Sequence, residues 1–79
     1  MNLQFMWIEY IENTAFDNFT SLISLNISNN ELIQLNPNTF TSLASLVVLD
    51  LSFNKLSYLA SNVFNGLPKL TKLILTSNY

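Results

Sequence analysis

A pattern of 24 residues, repeated in tandem, constrains this chain more than anything else in it. The string Leu46-x-x-Leu49-x-Leu51-x-x-Asn54-x-Leu56-x-x-Leu59, then Phe64-x-x-Leu67, also stands 24 positions earlier. There it reads Leu22-x-x-Leu25-x-Ile27-x-x-Asn30-x-Leu32-x-x-Leu35, then Phe40-x-x-Leu43. It begins once more as Leu70-x-x-Leu73-x-Leu75-x-x-Asn78. A fixed period of this length means one supersecondary unit per repeat, and each unit buries its apolar face only by stacking on its neighbours. The units are a degenerate first repeat at 1–21, full repeats at 22–45 and 46–69, and a truncated repeat at 70–79, all in one array.

Within each unit the x-Leu-x-Leu-x piece alternates, which is the period of a strand with one buried face. A strand of roughly five residues is expected, bounded by the asparagine and by turn-favouring residues. Each unit is a full turn of chain, so the strands run the same way and pair as a parallel sheet. Beyond the strand the chain bends and turns backbone groups inward, where they must be paired. A carboxamide supplies donors and an acceptor for this, so an asparagine in the same place in every coil can bond the backbone of its own bend and of the neighbouring coil. Met6 stands where the later copies have Asn30, Asn54 and Asn78, so the first bend is expected to be looser or solvated. Phe16, Phe40 and Phe64 recur at the same spacing and should stack as one apolar column. Asn36-Pro37-Asn38 and Asn65-Gly66-Leu67-Pro68 signal turns, and Pro37 and Pro68 break the outer stretches available for a helix.

Composition removes several function classes. The 79 residues are 49% hydrophobic and 10% charged, with a net charge of −2. Lys55, Lys69 and Lys72 are the only basic residues, too few for a nucleic-acid face. No apolar run reaches the length of a membrane span. Met1 to Tyr10 lacks a basic opening and does not read as a secretory signal. Histidine and cysteine are absent, and Glu9, Glu12, Asp17, Glu31 and Asp50 are scattered. No nucleophile–base pair or paired carboxylates follow from that, so a non-enzymatic chain without cofactor or metal is expected.

The repeated string resembles the leucine-rich repeat of the 24-residue extracellular kind, found in Toll-like receptor and variable lymphocyte receptor ectodomains. The segment Leu49-Asp50-Leu51-Ser52-Phe53-Asn54-Lys55-Leu56 and the run Val63 to Leu70 carry the resemblance most closely. The resemblance implies an α/β-type leucine-rich-repeat solenoid, with a short parallel β-sheet on the concave face and an irregular or 3₁₀ convex side. It also implies a protein-recognition module from an extracellular innate-immune receptor, binding a protein or other macromolecular ligand. The cysteine-rich caps usual in such ectodomains are not in this sequence.

By this register the reading surface comprises Asn2, Gln4 and Phe5; Ser24, Asn26, Ser28 and Asn29; Val48, Asp50, Ser52 and Phe53; and Lys72, Ile74, Thr76 and Ser77. Phe5, Trp7, Asn29, Asp50, Phe53 and Lys72 are the candidate partner-binding residues. Outward aromatics suit an interface, and equally suit surface residues packing along the sheet. Asp50 and Lys72 lie diagonally on adjacent strands, either as an exposed pair or as solvated charges. Asn18-Phe19-Thr20 and Asn26-Ile27-Ser28 match the glycosylation pattern, with Asn18 in an outer loop and Asn26 projecting from the sheet. Without caps, each end presents apolar side chains and an unpaired sheet edge. Self-association through those ends into homo-oligomers is therefore the competing expectation.

Overall fold

The computed structural model describes residues 1–60 and 62–79. Three strands, β1 (Ser24–Asn26), β2 (Val48–Asp50) and β3 (Lys72–Ile74), form a parallel sheet in the order β1-β2-β3. Ser24 pairs with Val48 and Val48 with Lys72, so the register in space equals the period in sequence. A single parallel bridge, Asn2 to Asn26, extends the pairing to the first repeat.

The strands are three residues long, not five. In β1 and β2 the last strand residue turns its side chain onto the chain ahead. Asn26 Oδ1 accepts the Ser28 N–H at 2.9 Å, and Asp50 Oδ1 accepts the Ser52 N–H at 3.0 Å. Such a local bond starts a turn and competes with the ladder. Asn2 does the same for the Gln4 N–H at 2.9 Å. Backbone bonding between repeats still continues past the strands, as in Ile27 N–H to Asp50 O and Leu51 N–H to Ile74 O.

Away from the sheet each repeat returns through turns closed by bonds three residues apart. Thr39 to Asn36, Thr41 to Asn38, Leu43 to Phe40 and Leu46 to Leu43 make one set, and the other repeats carry counterparts 24 positions away. Between sheet and turns lies the core, where Leu25, Ile27, Leu32, Phe40, Leu43, Leu46, Leu49 and Leu51 are fully buried. Phe40 stacks between Phe16 and Phe64 with ring centroids 6.1 and 6.3 Å apart, the column the spacing predicts. Gly66 has an ordinary backbone angle, and its role is space. A Cβ there would lie 3.0 Å from Thr41 Cα in the adjacent repeat.

The asparagines bind in a direction that sequence reasoning does not reveal. Asn54 Nδ2 donates to Leu51 O and Ser52 O of its own bend and to Ile27 O of the repeat before, while Oδ1 accepts the Leu32 N–H. Asn78 holds Leu51 O and Leu56 N in the same way. Each asparagine therefore ties down the preceding bend. This corrects the expectation for Met6. Both Met6 N–H and Ile8 N–H donate to Asn30 Oδ1 at 3.0 Å, and Asn30 Nδ2 reaches Leu3 O at 2.9 Å. The first bend is held by its neighbour, although its register differs. Phe5 N–H bonds Asn29 O, whereas Asn29 and Phe53 bond Ser52 O and Thr76 O, one residue closer in sequence.

Candidate protein-interaction surface

Two rows of side chains run across the repeats at the edge where the chain leaves the sheet. The first is Phe5, Asn29, Phe53 and Ser77, all with φ between 55° and 58°. Asparagine tolerates this left-handed conformation, but a bulky aromatic residue there is an outlier. Phe5 and Phe53 nonetheless occupy it with 69% and 56% of their surfaces exposed. Burial of the rings therefore does not explain the strain.

The second row is Trp7, Glu31, Lys55 and Tyr79. The N–H groups of Glu31, Lys55 and Tyr79 donate to Ile8 O, Leu32 O and Leu56 O, the same bond in three successive repeats. Glu31 forms an ion pair with Lys55, and Trp7 and Tyr79 flank the pair with 79% and 81% of their surfaces exposed. The hydrogen-bonded Glu31 carboxylate raises the Lys55 pKa above lysine's ordinary value, first through that bond and then through its charge. Trp7 also has a positive φ of 58°, unlike the other members of its row. A cavity of about 80 Å³ opens between the rows, lined by Phe5, Trp7, Asn29, Asn30 and Glu31. Of this second row the sequence reading singled out only Trp7. The signal was available, because the four positions stand 24 apart.

Phe5, Trp7, Asn29 and Phe53 thus gather on this ledge. Asp50 and Lys72 lie apart from it, at the end of β2 and the start of β3. They form no ion pair, and among the described residues the pair within bonding distance is Glu31 with Lys55. Asp50 Oδ1 is instead occupied by the N–H and hydroxyl of Ser52. Ser28 and Ser52 do not belong to an exposed surface. They are only 2% and 5% exposed, because each hydroxyl folds back onto the carbonyl or carboxylate of Asn26 or Asp50. Asn26 is consequently half-buried and bent along the turn, not projecting from the sheet, whereas Asn18 is exposed on the turn side.

A larger apolar cavity, about 390 Å³, is lined by residues of the first repeat alone, among them Leu3, Ile8, Tyr10, Ile11 and Phe16. Among the described residues, no helix is long and apolar enough to cross a membrane. A family model for the leucine-rich repeat matches residues 1–56 and again 35–79, which together span the chain. The chain belongs to the leucine-rich repeat family. Leucine-rich repeats generally mediate protein–protein recognition and are typically non-enzymatic. The small parallel sheet of this leucine-rich repeat protein fits that fold. No curated protein matches the chain.

Proposed function

We propose that this leucine-rich repeat chain is a recognition array of the 24-residue extracellular kind, akin to Toll-like receptor ectodomains. In this reading it is a single solenoid whose sheet lines the concave face, with an irregular turn-built side opposite. One observation carries the reading. Ser24, Val48 and Lys72 stand in strict register across β1, β2 and β3, one unlike side chain per repeat, beside the buried Leu25 and Leu49. A rigid row of differing side chains is what selective binding of a protein surface needs, since little ordering remains to be done on contact. Lys72 belongs to this row, Asp50 stands two residues along β2 in the row of Asn26 and Ile74, and Phe5, Trp7, Asn29 and Phe53 border them. The partner is a protein or similar macromolecule, not a nucleic acid. Asn18, exposed on the turn side, is the proposed glycan acceptor of the two candidates, since a glycan on the half-buried Asn26 would obstruct the concave row.

The test uses secreted chain, presented to a panel of purified ectodomains and secreted proteins by surface plasmon resonance. The expected result is a saturable partner whose affinity falls at least about tenfold, or 1.4 kcal/mol, with Lys72→Glu and with Val48→Asp. Peptide mass spectrometry of the same material should find a glycan at Asn18 and none at Asn26. A partner indifferent to both substitutions would remove the reading.

The 390 Å³ apolar cavity in the first repeat favours a second reading, a self-assembling repeat unit associating through its ends. In that case light scattering should show a mass rising with concentration in the absence of any other protein, and a constant monomer mass would dispose of it.

A further inference from the structure

The row Trp7, Glu31, Lys55, Tyr79 reads aromatic, acid, base, aromatic. Reversed, it reads aromatic, base, acid, aromatic. A two-fold axis perpendicular to the row brings it against its own reverse, so each residue of such a row meets its complement. The acid faces the base twice, and Trp7 faces Tyr79 twice. A two-fold axis along the row would instead set acid against acid. We infer that two copies of this chain pair ledge to ledge about a two-fold axis, with Glu31 of each copy opposite Lys55 of the other. This rests on the reading that these repeats bind protein, and it names a second copy as one partner.

Three further observations fit that occupant. The four aromatics Phe5, Trp7, Phe53 and Tyr79 are each more than half exposed along this one edge, and aromatic residues are what interfaces gather. The 80 Å³ cavity beside Trp7 lies where the two-fold places the second copy's Tyr79. It has room for roughly five water-sized groups, which suits the edge of one ring. Phe5, Trp7 and Phe53 all hold a strained positive φ that burial within the chain does not repay, and such strain clusters where a surface is used.

Charge reversal tests the geometry. Glu31→Lys makes the row basic and Lys55→Glu makes it acidic, so each variant repels itself and complements the other. The double variant reverses the pair and stays self-complementary. In sedimentation equilibrium at low salt, the unaltered chain and the double variant should dimerise. Each single variant should dimerise at least about tenfold more weakly, and an equimolar mixture of the two should recover the dimer. The pair is exposed, so unfolding midpoints by circular dichroism should stay close together. If one single variant fails to fold, Trp7→Ala serves in its place and should weaken the dimer similarly. Single variants that associate like the parent would overturn the inference, as would a mixture no better than its components or a parent that stays monomeric. Association through the repeat ends would ignore these charges. Recognition of an outside protein through the strand row would respond to Lys72, which this experiment leaves untouched.

Discussion

Asn54 donates from Nδ2 to three carbonyls, two in its own bend and one in the repeat before, and accepts the Leu32 N–H on Oδ1. It is 4% exposed, so water cannot replace it. A buried backbone group left without a partner costs about 1–3 kcal/mol. Asn54→Ala should therefore cost about 3 kcal/mol or more, read as a drop in the urea midpoint at unchanged slope. Met6→Asn should change stability by less than about 0.5 kcal/mol, because the first bend already takes its bonds from Asn30. A large gain there would show that Met6, not Asn30, sets the order of that bend. The need for a carboxamide could be read from the sequence, since the chain bends at the same place in every copy. Which bend each one holds could not, because that depends on how far the side chain reaches across the stack.

The bend after each strand is the element that varies most. Its αL position carries Phe5, Asn29, Phe53 and Ser77, and only Asn29 suits the angle. Phe53 is 56% exposed, so removing the ring gives up little burial. Phe53→Asn should raise stability by about 1 kcal/mol, or the melting temperature by roughly 4–8 °C. A lower melting temperature would mean that the ring packs along the sheet and repays its strain. Alternation located the strands, but their ends were set by the side chains of Asn26 and Asp50 capping the turn. The same caps buried Ser28 and Ser52 and engaged one carboxylate oxygen of Asp50. Side-chain period alone cannot register such local bonds.

Across the whole molecule the phenylalanine column joins the first three repeats through the core. Phe40 stacks on both Phe16 and Phe64, and it is fully buried. Phe40→Ala should cost about 3–5 kcal/mol, a large part of the roughly 4–12 kcal/mol typical of a chain this size. Its thermal transition should fall by at least about 15 °C, and a smaller shift would mean the repeats close over the gap. The sequence by itself determined the repeat, the parallel order of the strands and their register. A strict period places every residue over its counterpart, and leucine, asparagine and phenylalanine at fixed intervals can be buried together in no other way. Only the tertiary structure decided that each asparagine serves the repeat behind it, that Gly66 is held small by Thr41, and that Glu31 meets Lys55 between two exposed rings. Those outcomes depend on the path of the bends and the gap between adjacent repeats, which spacing along the chain does not encode.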